Sequence, residues 1–450
     1  MAEKTTRQYV DRCVGDGELC RAARCLELPP EYARSYGRQL LDRPLFAAAD
    51  ELSGFAADLA QTFAALVAAP GLLFDGDLGR YCAALGMDGR LADFMLRGAT
   101  GAPPLYGRAD AYHDGSGFRM LEFNLGSELG GADFAQLNRG FLGVPAFAAF
   151  AAEHGLGFAD TVERLAGALR RAAEPVTGGR DPVVALLEGT GGFGSYGHIY
   201  TSLREAMAQC GVEMHIGEIH QAGERNGKIT LDGVPADVVL RFFVSDDLAR
   251  SPSGEQDLDR ILRADLAGKT VLFTPLEAGL LASKGSLALL HEPRLAAQLT
   301  AGQRAAIDRV VPWTRLLRGG PWQRPDERAD LLAYCRAHRE SLVLKPGVGY
   351  GAVGAHVGWR TPQAEWDAVL ADCAGGDYVA QWRVVPAAEP VTDPDTGETA
   401  DWHANWGIFV DAGGYAGAFV RALKPGDGSV ISYSNPGTRG TCVFSCPGAE

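Results

Sequence analysis

The sequence predicts a mixed α/β (α+β) fold in which a helical N-terminal region leads into a parallel α/β unit and then a strand-rich C-terminal half. Three observations carry this expectation. Apolar residues recur at helical spacing through the first hundred positions, as in Ala57-Asp-Leu-Ala-Gln-Thr-Phe-Ala-Ala-Leu. A buried-strand pattern, Val183-Val-Ala-Leu-Leu, enters the turn Gly189-Thr-Gly-Gly-Phe-Gly-Ser, then a helix through Leu203 and a second strand near residues 212–216. Beyond residue 266, short strands alternate with glycine-rich loops. At 450 residues the chain exceeds what one core usually organises. The texture changes suggest segments 1–175 (helices plus a hairpin), 176–265 (the parallel unit) and 266–450.

In chain order, Pro44-Leu-Phe-Ala-Ala-Ala-Asp-Glu-Leu is expected to be helical. The longest apolar stretch, near residues 63–73, is interrupted by Pro70, so no membrane span is expected. The start of the sequence lacks the apolar segment of a secretory signal, and a cytoplasmic protein is expected. Residues 106–124 read as strands, and helices follow up to Pro182. Val238–Val244 is a third apolar strand. Val271-Leu-Phe-Thr is a strand, Lys284-Gly-Ser-Leu-Ala-Leu-Leu opens a helix, and Ser341-Leu-Val-Leu-Lys is a strand. Tyr378-Val-Ala-Gln-Trp-Arg-Val-Val and Trp406-Gly-Ile-Phe-Val are strands flanking a polar loop from Pro390 to Thr399.

Composition excludes several classes. Forty-two Lys+Arg against 56 Asp+Glu give a net charge of −14, opposite to a duplex-coating nucleic-acid binder. Nine scattered cysteines are an odd number, and neither Cys20 and Cys25 nor Cys442 and Cys446 have CxxC spacing. Reduced thiols are expected, without a disulfide framework or a zinc site. No GxSxG elbow or HExxH motif is present, and His215 and His220 sit five apart near a strand.

Four constellations remain. The first is Tyr106-Gly-Arg-Ala-Asp-Ala-Tyr, a turn from His113, and Phe118-Arg-Met-Leu-Glu-Phe-Asn. Alternation puts Arg108 with Asp110 on one face, and Glu122 with Asn124 on one face. A five-residue loop over 113–117 would pair Tyr112 with Phe118, set Arg108 opposite Glu122, and gather all four polar residues, with Leu121 and Phe123 toward the core. A two-residue Asp114-Gly115 turn would shift the register by one. Like charges about 4 Å apart at an effective dielectric near 20 cost roughly 4 kcal/mol, so a gathered pair of carboxylates calls for a cation. Hard oxygen donors suit Mg²⁺. The alternative is a salt bridge of Arg108 with Asp110 or Glu122 on an exposed hairpin.

The second is Leu342-Val-Leu-Lys345-Pro followed by glycines 347, 349, 351 and 354. Glycines let backbone N–H groups approach phosphate oxygens, and a strand-end lysine in an apolar run needs an anion. The lysine precedes the glycines, which is not the order of a Walker loop; a plain glycine-rich hairpin is the alternative. The third is the Gly189–Gly194 turn, which matches GxGxxG after a strand and raises a nicotinamide-dependent oxidoreductase as a rival; a tight strand–helix turn that holds no nucleotide is the alternative. Its required acidic residue is poorly placed: Glu213 opens the second strand and Glu218 comes late. The fourth is Gln381, Arg421 and the Ser434-Asn435-Pro-Gly437 segment, each uninformative singly.

Together these segments resemble the ATP-grasp carboxylate–amine ligases, in the circularly permuted branch typified by the synthetase domain of glutathionylspermidine synthase. The resemblance covers roughly residues 100–440 through six short motifs: the Arg108 and Glu122 strands, Ser283-Lys284-Gly-Ser-Leu-Ala-Leu-Leu, Val343-Leu-Lys345-Pro with its glycine loop, Val379-Ala-Gln381, and Val420-Arg421. It implies a permuted ATP-grasp fold with a Rossmann-like domain over 176–265 before the ATP-binding region. It also implies that Asp110, Glu122 and Asn124 are the Mg²⁺ ligands. Arg108 would grip the transferring phosphoryl group or the acyl substrate, and Arg421 would steady the acyl phosphate and tetrahedral intermediate. Lys284, Lys345, Gly349, Gly351 and Gln381 would bind ATP, with Gln381 on the strand lining the adenine pocket. The glycine loop departs from the pattern, with Ala352-Val353 where many relatives carry a further glycine and a basic residue. No cysteine amidase motif precedes these segments.

The implied reaction joins a small carboxylate, an amino acid or short peptide, to an amine. Two anions must meet, so Mg²⁺, lysines and arginines offset their repulsion. The carboxylate attacks the γ-phosphate, and the amine then displaces phosphate from the acyl phosphate. A glycine-rich lid would keep water from that intermediate. The remaining rival is a non-catalytic nucleotide-binding protein that keeps the fold and binds ATP without releasing phosphate. Expected partners are the small carboxylate and amine alone, without nucleic acid or membrane, and a homodimer is left open.

Overall fold

The computed structural model describes residues 2–37, 39–319, 325–349, 351 and 353–448. Tyr350 and Ala352 of the glycine loop lie outside them. The architecture is mixed α/β, built on three main sheets and flanking helices.

The largest sheet has seven strands. Its order is Leu45–Ala48, Arg439–Cys446, Gly414–Leu423, Thr399–Asp411, Tyr106–His113 and Phe118–Leu125, with Ala388–Thr392 pairing beside the start of Thr399–Asp411. All pairings are antiparallel except the first, where Leu45 to Ala48 run parallel to Val443 to Cys446. Two sequence expectations change here. The Pro44 segment was expected to be helical, but Leu45, Phe46 and Ala47 are buried and pair as a strand. Burial on both faces and ladder bonds supplied by a distant segment override local propensity. The helix begins only at Ala49. The expected polar loop over 390–399 is found over 393–398, as the tip of a hairpin whose strands take up residues 390–392 and 399.

Helix Ala49–Phe74 continues through Pro70, which interrupts the apolar stretch in the sequence but not the helix. By length and composition it is the one described helix able to cross a membrane. In the fold its Leu52, Phe55, Leu59 and Leu66 are buried in one apolar cluster with Phe123, Ile408 and Val420 of the large sheet. The opposite face of that sheet contributes Phe409, Phe419 and Phe444 to a second cluster with Phe134, Phe147 and Phe150.

The second sheet is parallel throughout, in the order Val271–Phe273, Val238–Arg241, Val183–Glu188 and Glu213–Glu218. Continuous apolar runs and the intervening helix Phe193–Gln209 produce it as expected for strands covered on both faces. Its edge strand Val271–Phe273 lies beyond residue 265, in the segment expected to be the last. The third sheet is antiparallel: Thr314–Leu316, Tyr378–Trp382, Leu342–Pro346 and His356–Val357.

Candidate active site

The cleft that gathers the polar constellations lies where the third sheet meets the Phe118–Leu125 end of the large one. Arg108, Asp110, Glu122, Asn124, Lys284, Lys345, Gly349, Gly351, Gln381 and Arg421 all line it. These ten residues are therefore brought to one place, whereas Gly347, Gly354, the Gly189–Gly194 turn and the Ser434–Gly437 segment are not part of its lining.

The hairpin achieves this in a register different from both expected ones. His113 pairs with Phe118, Tyr112 with Arg119 and Ala111 with Met120; Asp110 then pairs with Glu122, and Arg108 with Asn124. The tip is closed by Asp114, whose carboxylate accepts from Ser116 N at 2.8 Å and Gly117 N at 3.1 Å. That capping admits only residues 114–117 to the loop and moves the pairing by one position. Leu121 is then the extra residue of a bulge. It does not face the core as expected: it is half-buried, lines the cleft and offers its carbonyl to Lys345 Nζ at 3.1 Å. Phe123 is in the core as expected. The bulge puts the two carboxylates, rather than Arg108 and Glu122, directly opposite each other.

Their repulsion is offset by cations from other elements. Asp110 accepts from Arg108 Nε at 2.8 Å and from Arg421 Nη2 at 2.5 Å. Burial pushes its carboxyl upward, but the two guanidinium groups outweigh this and hold it well below the usual carboxylate range. Glu122 meets Lys284 Nζ at 3.2 Å. Lys284 opens helix Lys284–Leu289, capped by Ser283, and its ammonium also donates to Gly349 O at 3.1 Å. Lys345 donates to Gln381 Oε1 at 2.7 Å from the adjacent strand. Burial and the Lys284 charge lower the Lys345 ammonium to about 8, against the opposing pull of Glu122 and Asp110. Arg108 also donates to Gly130 O at 2.8 Å and lies 5.4 Å from the centre of the Phe419 ring.

Four cationic side chains thus face two carboxylates, which suits a polyanion better than a lone metal ion. The donor set nevertheless fits Mg²⁺ arriving with phosphates: Asp110 and Glu122 face each other, and Asn124 lies two residues along the same face. Among the described residues no cluster of three His, Cys, Asp or Glu side chains could hold a metal, so the amide oxygen of Asn124 would be needed to complete the protein's share.

Sequence reasoning missed several lining residues. Asn405, Tyr112, Trp359, Trp382, Arg383 and Glu128 also border the cleft. Glu128 is tied to the buried Arg241 at 2.5 Å. Asn405 left a usable signal, a polar residue set directly before the apolar run Trp406-Gly-Ile-Phe-Val.

The Gly189–Gly194 turn is organised differently. Its amides at Gly191 and Phe193 donate to the Glu218 carboxylate at 2.9 and 3.0 Å, and Gly189 N donates to Glu188 at 2.7 Å. The protein's own carboxylates occupy the position a pyrophosphate takes at such a helix start. Burial raises the Glu188 carboxyl to about 7, and Tyr200 donates to it.

No family model matches the chain, and no curated protein does. Among solved structures it is similar to a glutathione synthetase-like effector from Globodera pallida, with a TM-score of 0.57 at 12% identity over 90% of each chain. It also matches a putative γ-glutamylcysteine synthetase from Methylobacillus flagellatus KT, at a TM-score of 0.43 and 15% identity over 89% of each chain. The first likeness shows a shared fold.

Proposed function

We propose that the chain is an ATP- and Mg²⁺-dependent carboxylate–amine ligase, built on a permuted ATP-grasp fold, which forms an amide through an acyl phosphate and releases ADP and phosphate. The observation that carries this reading is one cleft with Lys284 and Lys345 from separate elements facing an acidic hairpin whose own arginine and Arg421 neutralise Asp110. The fold shared with a synthetase-like protein supports it.

In this reading Lys284 and Lys345 hold the phosphates as point charges, and Gln381 orients the Lys345 ammonium. Arg108 and Arg421 draw the anionic acyl group toward the γ-phosphate, with their planar forks fixing its orientation. Asp110, Glu122 and Asn124 would hold Mg²⁺, which supplies neutralisation of charge on the transferring phosphoryl group. No protein nucleophile is required. A γ-glutamyl donor is the first carboxylate to try. The nicotinamide-dependent reading has less support, because Glu218 already fills its phosphate position.

The test is an ADP-release screen of amino acids, singly and in pairs with amines, with mass spectrometry of products. The expected result is Mg²⁺-dependent ADP release together with an amide product. Binding of NAD(P)H with no response to MgATP would reverse the assignment, and a stable phosphorylated product would make the protein a kinase.

A further inference from the structure

Two buried polar atoms of the cleft lack partners. Asn405 Oδ1 and Arg421 Nε are shielded from solvent, and neither has a hydrogen-bond partner among the described residues. The two residues are directly opposed across the antiparallel ladder of Thr399–Asp411 and Gly414–Leu423, so their side chains leave the same face. Asn405 is only 7% exposed and sits on an interior strand, where its amide cannot turn out to solvent. A buried acceptor without a donor is costly and rare in folded proteins. Arg421 sends Nη2 to Asp110, and its free Nε does not meet Asn405 Oδ1. The result is a donor and an acceptor side by side, both left for a ligand. Phosphoryl and carboxylate oxygens can answer Arg421 Nε, but they are acceptors only and cannot answer Asn405 Oδ1. An N–H group can.

We infer that Asn405 Oδ1 accepts a hydrogen bond from the incoming amine nitrogen while Arg421 Nε donates to the acyl oxygen, so that the pair orients the amine for attack; this rests on the ligase reading above. The nitrogen lone pair forms the C–N bond, and the C–O bond to phosphate breaks with its electron pair going to the departing phosphate. The surplus nitrogen proton leaves with that phosphate. Asn405 takes no proton; it points the N–H away so that the lone pair faces the carbonyl carbon.

The test uses the full chain with MgATP, L-glutamate as probe carboxylate and methylamine as probe amine, reading ADP and the N-methylamide together. Asn405→Leu keeps the volume and removes the acceptor; Asn405→Asp keeps an acceptor. In Asn405→Leu the KM for methylamine should rise about tenfold or more, with the KM for MgATP unchanged. ADP should then exceed amide severalfold as the stranded acyl phosphate hydrolyses, and Asn405→Asp should restore much of the coupling. The melting temperature of Asn405→Leu should hold or rise, since an unanswered acceptor is gone. A fall in melting temperature with uniform loss of every constant makes Asn405 structural and overturns the inference, as does an altered Mg²⁺ dependence or a ratio of ADP to amide that stays near one. If the wild type makes no amide, methylammonium chloride is compared with sodium chloride at equal ionic strength in the presence of MgATP. Thermal stabilisation by methylammonium in the wild type and not in Asn405→Leu supports the assignment. No stabilisation of the wild type by methylammonium overturns it, whereas no response to MgATP itself defeats the ligase reading.

Discussion

Lys345 is the residue whose chemistry is most sensitive to what occupies the cleft. In the folded protein its ammonium gives up a proton near pH 8, against an ordinary value of 10.5. Below pH 8 both folded and unfolded chains carry the charge, and folding bears the full cost of burying it. That cost falls as pH rises from 8 toward 10.5, where the folded chain binds fewer protons than the unfolded one. A bound triphosphate favours the charged form, so nucleotide binding should draw in a proton between about pH 8 and 10. Titration calorimetry at pH 9 in buffers of different ionisation heat should show this uptake, and Lys345→Met should lose it while raising the KM for ATP about tenfold or more. An unchanged nucleotide affinity in that variant would make the lysine structural. Glu122→Ala removes a ligand of the proposed metal site from a half-buried strand position. It should lower kcat/KM about 100-fold or more with little change in melting temperature; full activity would refute the metal assignment.

At the scale of elements, the Gly189 turn separates the two rival readings. Glu218 caps helix Phe193–Gln209 through two amides, and its carboxylate sits at the positive end of the helix. Glu218→Ala should therefore cost about 1–2 kcal/mol by denaturant unfolding while leaving the KM for ATP unchanged. A gain of NAD(P)H binding in that variant would show that the turn is a nucleotide site held shut. The same element shows what a sequence can and cannot carry. The strand, the turn and the helix were legible from apolar runs and glycines, because those patterns are local. That a carboxylate 25 positions past Phe193 would fill the turn was not, since it depends on the parallel pairing of Val183–Glu188 with Glu213–Glu218. The hairpin gives the same lesson: alternation fixed which residues share a face, but the bulge at Leu121 and the opposition of Asp110 to Glu122 were set by the Asp114 cap and by Lys345 reaching the Leu121 carbonyl. Leu45–Ala48 was misread because its ladder partner is nearly four hundred residues away.

On the scale of the whole molecule, the cleft joins segments that have little reason to meet without a ligand in common. Asp110 and Glu122 come from a hairpin of the seven-stranded sheet, Arg421 from an interior strand of that sheet, Lys284 from a short helix, and Lys345 from a different sheet. The order of short motifs made this meeting legible, whereas no single motif did. The chain carries a net charge of −14, yet here its cations outnumber its carboxylates. Concentrating like charges in one buried place costs stability, and an anionic ligand that bridges the two sheets would recover it. MgATP should therefore stabilise the folded chain as a whole, by about 2.7 kcal/mol at a hundred times its dissociation constant. Melting curves across a MgATP series at fixed free Mg²⁺ would show a continuous rise for the wild type and a much smaller one for Lys345→Met. Glu122→Ala should retain a response to ATP alone but lose the extra increment that Mg²⁺ contributes. If ATP stabilises equally with and without Mg²⁺, the hairpin carboxylates act as partners of Lys284 and the arginines rather than as metal ligands, and the bridging role falls to the lysines alone.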